Sequence, residues 1–189
     1  MNPASLINLL SGITKLSPDF TKTLTDFLRE EKYNVHQVIH TSGQLENRLW
    51  FVDSGFARTY YFDPGGKEHT LNFFTPNQLI FSYNGCWKEA SDDYLEVVIE
   101  TNLLSLTYES FYYLLENYQE TTSLKHFFVR QRYYQDIYKS RLLTWSTEQR
   151  YLHFRRASPD IFKIASLRLI ASYLNMTREN LSRLMGREV

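Results

Sequence analysis

The chain has 189 residues, of which 43% are hydrophobic and 16% aromatic, and its 21 Lys/Arg balance 21 Asp/Glu. This is the composition of a folded globular protein and excludes a disordered one. No apolar run reaches the roughly 18 residues that span a bilayer, the start MNPASLINLL lacks a signal peptide's basic flank and cleavage site, and a lone Cys86 excludes an internal disulfide framework, so a cytoplasmic protein with no membrane partner is expected.

The first 32 residues read as a helical preface. Leu6, Leu9, Leu10 and Ile13 recur at helical spacing, and SPDF at 17–20 starts a second helix with Ser17 as cap and Pro18 at its first position. From about Val35 to Thr107 the texture changes to short runs of Val, Ile, Phe, Tyr and Thr between turn residues, which predicts a β sandwich, roll or barrel. The clearest hairpin is FARTYYF and KEHTLNFF around DPGG, where Pro64 fixes φ and glycine can take positive φ. From Tyr108 to Trp145 there is no Pro or Gly, and a broad apolar stripe predicts a short helix followed by a long one. That stripe can bury itself on its own β body or on the same helix of a second chain; the pattern leaves both open. Short helices follow from Ser146, with a break at Ser158-Pro159.

Zero net charge hides an asymmetry. From Lys139 onward ten Lys/Arg face four Asp/Glu, an excess of six positive charges, while the rest of the chain carries eleven against seventeen. An acidic body with a basic end is the footprint of a nucleic-acid module attached to something else. The basic end closes on LRLIASYLNMTRENLSRLMG, whose pattern fits a helix-turn-helix. Two crossing helices need a small residue where they touch, which is Ala171, and a residue tolerant of left-handed backbone at the turn, which is Asn175. Thr177 can cap the second helix, whose outer face then carries Arg178, Glu179, Ser182 and Arg183. Arg forks onto guanine, Glu accepts from cytosine, and Ser serves base or phosphate. Arg187, Arg168 and Lys163 are candidate phosphate contacts.

SxEQRYxxFxxxxP (Ser146 to Pro159) with IASYLNMTRENLSR (Ile170 to Arg183) resembles the DNA-binding module of the Crp/Fnr family, dimeric bacterial transcription regulators. LWFVDSGFARTYYFDPGGKEHTLNFFTPNQL (Leu49 to Leu79) is similar to that family's β-roll, including Gly55 and the Gly65-Gly66 turn. The resemblance implies an α+β chain: a jelly-roll (double-stranded β-helix) effector domain of the cyclic-nucleotide-binding type with its preface (1–117), a long dimerisation helix (118–145) and a helix-turn-helix domain (146–189). It also implies that Arg178, Glu179 and Arg183 stand where the family reads bases, and that the partners are double-stranded DNA and a second copy.

Two departures are visible. The family's Gly-Glu pair falls near Phe81-Ser82 and its phosphate-binding Arg near SDDY at 91–94, where there is no Arg and where Asp92 and Asp93 repel a phosphate. Phe81, Ser82, Tyr83, Trp87 and Tyr94 are instead candidates for a pocket taking another, unidentified small-molecule effector, or simply core. Larger members add a β-hairpin wing after the second helix, and the chain stops at Val189, so wing contacts are expected to be absent.

VHQVIH reads as a strand, which sets His36 and His40 too far apart for one metal. No nucleophile elbow, P-loop or dinucleotide fingerprint is present, so no enzyme, cofactor or metal is expected. The alternative to a regulator is a small-molecule-sensing or protein-interaction module with a vestigial helix-turn-helix.

Overall fold

The computed structural model describes residues 3–187. Two helices open it, α1 (Ala4–Ser11) and α2 (Pro18–Phe27). The Ser17 hydroxyl accepts from the Phe20 N–H and Pro18 occupies the first turn of α2, so the predicted start signal operates. The predicted extent does not: the helix ends at Phe27, and Arg29–Tyr33 is a strand, β1. Its sequence REEKY has no strand-like apolar alternation. What makes it a strand is antiparallel pairing along a distant segment, from Arg29 opposite Ser105 to Tyr33 opposite Thr101.

The remaining strands are β2 (Val38–His40), β3 (Arg48–Ser54), β4 (Ala57–Phe62), β5 (Glu68–Phe74), β6 (Leu79–Ile80), β7 (Tyr94–Val97) and β8 (Thr101–Thr107), with a one-turn helix α3 (Tyr83–Trp87) before β7. They form two antiparallel sheets, ordered β1-β8-β3-β6 and β2-β7-β4-β5, packed as a roll. Period-two alternation sorts the side chains. Trp50 and Val52 of β3 point into the roll with Ala57, Phe74, Ile80, Leu95, Val97 and Leu103, while Leu49 and Phe51 point out with Leu104 and Leu106. Between β3 and β4, Gly55 takes φ +103. In the β4–β5 turn Gly66 takes φ +79, and the Asp63 carboxylate accepts from the N–H groups of Gly65 (2.9 Å) and Lys67 (3.0 Å).

The outward face of the first sheet is covered by α1, α2, α4 (Tyr108–Asn117) and the first half of α5 (Gln119–Thr144). Thr121, Leu124 and Phe128 of α5 are buried there, and Leu142 is buried near its end, but nothing from Val129 to Arg141 is. So α5 uses its own body at both ends and leaves Val129, Tyr133 and Tyr134 exposed in the middle. After it come α6 (Thr147–Ala157), α7 (Ile161–Ile164), α8 (Leu167–Tyr173) and α9 (Arg178–Met185). Their core of Leu142, Tyr151, Phe154, Ile170, Leu174 and Leu181 is continuous with Phe56 and Val98 of the roll. Among the described residues no helix is long and apolar enough to cross a membrane.

Candidate nucleic-acid interface

The helices α8 and α9 meet through a short, fully specified turn. Ser166 caps α8 and Thr177 caps α9, its hydroxyl accepting from the Asn180 N–H at 3.2 Å. Asn175 takes φ +49, which its short polar side chain tolerates, and the Met176 N–H closes the turn on the Ala171 carbonyl at 3.0 Å. Ala171 is buried between the helices, and Leu181 and Leu184 turn the apolar side of α9 inward. From α6, the Arg150 guanidinium donates to the carbonyls of Leu174 (2.6 Å), Asn175 (3.0 Å) and Trp145 (3.1 Å). A cation there complements the negative end of α8.

The outer side of α9 carries Arg178, Glu179, Ser182 and Arg183, all exposed, with Arg187 just beyond. Arg183 donates to the Asn180 side chain at 2.9 Å, which steadies it without covering it. Of the two other candidate phosphate contacts, Lys163 pairs with Asp160 (2.7 Å) on the surface, and Arg168 pairs with Glu68 of β5 (3.0 Å). A phosphate would have to compete with that carboxylate for Arg168.

Sequence reasoning missed the contact that Glu68 belongs to, because its members lie about a hundred residues apart. The Ser172 hydroxyl on α8 donates to the Glu68 carbonyl (3.0 Å) and accepts from the Thr70 N–H (2.8 Å), so it completes the edge of β5. Lys139 of α5 donates to the carbonyls of Thr70 (3.2 Å) and Tyr173, with its ammonium over the Tyr173 ring. Burial and the nearby Arg150 draw the Lys139 ammonium down to about 7. Phe73 of β5 lies against Tyr173, with ring centres 5.2 Å apart. Behind Glu68, the almost fully buried Arg58 of β4 binds both Glu68 oxygens (2.8 and 3.0 Å) and Glu96 of β7 (2.7 Å). His36 reaches Glu96 at 3.1 Å, so a polar chain from His36 through Glu96, Arg58 and Glu68 to Arg168 crosses the sheet from the β1–β2 turn to the helix-turn-helix.

Of the five candidate pocket residues, Phe81, Tyr83 and Trp87 form a run of touching rings (5.8 Å between Phe81 and Tyr83, 5.9 Å between Tyr83 and Trp87), and Tyr94 stands apart from them. Phe81 faces the layer beneath α1 and α2, Ser82 caps α3 by accepting from Gly85, and Tyr83 stacks on Trp87, which is 66% exposed. Tyr94 stacks on Tyr60 on the second sheet. Tyr94 is separated from the other rings because the rest of α3 and a loop intervene before β7.

Inside the roll the apolar residues pack on one another, and one end carries carboxylates. Glu31 accepts from Tyr33 (2.5 Å), Ser105 (2.7 Å), Trp50 (3.1 Å) and Arg48. Burial works against its charge, but those bonds hold its carboxyl below the usual range. Glu46, beside the buried His40 at 3.2 Å, is pushed by burial up to about 7. Only Val38–His40 of VHQVIH is strand; His36 sits in the preceding turn at φ +60, and the two histidines go to different carboxylates. Among the described residues no cluster of ligands fits a metal.

With that geometry in view, residues 30–118 match the family of the cyclic nucleotide-binding domain. No curated protein is similar to the chain at a significant level. Among solved structures, FixK2 from Bradyrhizobium japonicum is 17% identical and superposes with a TM-score of 0.74 over 85% of this chain and 83% of its own. The fold is that of the Crp/Fnr regulators. Two further relatives of that fold are the c-di-GMP-responsive global regulator CLP of Xanthomonas campestris (13% identity, TM-score 0.70, 90% of this chain and 91% of that one) and the catabolite activator protein of Thermus thermophilus (21%, 0.58, 95% and 85%). Both span the Crp/Fnr roll and the closing helices together.

Proposed function

We propose that the chain is a dimeric DNA-binding transcription regulator of the Crp/Fnr type that does not respond to cyclic AMP. The observation that carries this reading is the outward face of α9: Arg178, Glu179, Ser182 and Arg183 stand exposed on a capped helix whose other side is locked into a core. In this reading residues 1–117 sense, 118–145 dimerise and 146–189 bind DNA, with α9 in the major groove and Arg187 and Lys163 on phosphates. Dimerisation is supported by the middle of α5, where Val129, Tyr133 and Tyr134 have nothing to cover them in one chain. Two copies of α9 then engage half-sites about 34 Å apart.

Non-response to cyclic AMP rests on charge. By the resemblance the family's phosphate-binding Arg falls in or near residues 91–94, SDDY, which hold no Arg and two acids, Asp92 and Asp93. Burial pushes the Asp93 carboxyl up, against the pull of the nearby Arg132 of α5. The alternative, a sensing module with a vestigial helix-turn-helix, draws on the sealing of α8 against β5, yet that contact leaves α9 free.

Selection from random duplexes at low salt tests the reading: enrichment of a two-fold symmetric site is expected, and no enrichment would end it. Arg178→Ala and Arg183→Ala should each lose about 1–3 kcal/mol of discrimination at one base position. Saturating cyclic AMP should leave the melting temperature unchanged; a rise of several degrees would overturn non-response.

A further inference from the structure

Beneath α1 and α2, on the face of β3 and β8 that points away from the roll interior, lies a cavity of about 120 Å³ walled by Leu6, Leu24, Phe51, Leu104, Phe111 and Phe128 among others. Strand alternation separates it from the roll interior: Phe51 and Leu104 line it, while Trp50 and Leu103 face the other way. No polar surface is exposed inside it, so it excludes water and suits an apolar occupant; an engineered cavity of roughly 150 Å³ takes up benzene. Of the named wall residues and their neighbours on α5, Lys125 and Val129 are exposed, which puts the opening on that helix.

The Lys125 charge sits close enough to act on the Cys86 thiol in the cavity wall. Among the described residues Lys125 forms no ion pair, and no acid stands three or four positions from it on α5, where Thr121, Thr122, Phe128 and Val129 are found. An apolar chamber with an unpaired ammonium at its rim is complementary to a molecule with one apolar chain and one anionic end.

We propose that this cavity binds a short aliphatic carboxylate, with its chain among the leucines and phenylalanines and its carboxylate on the Lys125 ammonium. The site uses no residue of α9, and it shares Val129 with the α5 surface read as the dimer seam. Because its walls come from the roll, α4 and α5 together, an occupant bears on the helix that leads to α9.

Equilibrium dialysis of the full chain against hexanoate, octanoate and decanoate tests it, without using DNA. Affinity is expected to rise about fourfold per added methylene until the cavity is full and then to level off. Lys125→Glu should weaken octanoate at least about tenfold and leave octanol unchanged, since an ion pair is lost and a like charge introduced. Val129→Trp should close the opening and abolish binding of both. Lys125 is exposed and outside the α5 surface read as the dimer seam, so Lys125→Glu should melt like the parent, and Val129→Trp is judged against its own melting curve and sedimentation. No saturable octanoate binding, as when a partner's α5 covers the opening, would overturn the proposal, and so would binding indifferent to either substitution.

Discussion

Arg58 shows how much can depend on one side chain. It is 1% exposed, and its guanidinium is the common partner of Glu96 and Glu68, with its carbon atom 4.2 Å from the centre of the Tyr60 ring. Arg58→Met removes the cation and leaves Glu96, itself well buried, with only the exposed His36 beside it; a loss of about 3–5 kcal/mol in urea unfolding is expected, partly recovered by adding Glu96→Leu. Glu46 gives a pH dependence of definite sign. Its pKa is raised from 4.5 to about 7, so the folded chain favours the neutral acid. That contribution is complete below 4.5 and disappears as pH rises through 7, a loss of roughly 3 kcal/mol at neutral pH and above. Glu46→Gln should flatten this part of the stability profile; an unchanged slope between pH 5 and 8 would place the titration elsewhere. Gly55 is held at φ +103, and a Cβ there would stand 2.6 Å from the Thr101 Cα and 2.7 Å from the Glu100 carbonyl, both backbone atoms that cannot swing aside. Gly55→Ala is therefore expected to cost at least about 2 kcal/mol.

Among the elements, the pairing of α8 with β5 hangs on one hydroxyl, that of Ser172. Ser172→Ala deprives the Thr70 N–H and Glu68 carbonyl of their shared hydroxyl, with an expected penalty of about 1–3 kcal/mol on the docked arrangement. Limited proteolysis should then cut faster between α6 and α8, and equal rates would show that the hydroxyl does not hold the helix. This contact was invisible in the sequence for a definable reason. Ser172 looks like any polar residue on a short helix, and its partners stand more than a hundred positions earlier. The helix-turn-helix itself was legible because its determinants are local: Ala171, Asn175 and Thr177 fall within seven residues and each has one conformational role. β1 was misread for the converse reason. Its Glu31 makes sense only beside Ser105, Trp50 and Arg48, and charge without periodicity carries no strand signal. The separation of Tyr94 from Phe81 and Tyr83 has the same origin, since aromatic content shows that surface is buried but not on which side of a sheet.

At the scale of the molecule, the acidic body and basic end give the proposed DNA binding a salt signature. With Arg187 and Lys163 of two chains on four phosphates, the logarithm of affinity should fall with that of salt at a slope of about 3.6 between 50 and 200 mM. A slope near zero would remove the phosphate contacts. Tyr133→Glu with Tyr134→Glu should shift the chain to monomer in sedimentation and abolish tight binding to the symmetric site while leaving the melting of the roll nearly intact, because neither residue is buried in one protomer. The Arg150 bridge has a further consequence here. One guanidinium spans the end of α5, the end of α8 and the left-handed turn, so the reading head is built without an internal joint. In the proposed dimeric regulator, a signal arriving through α5 would move the face of α9 as one piece with the end of α5, and regulation would turn on how far apart two such heads are held.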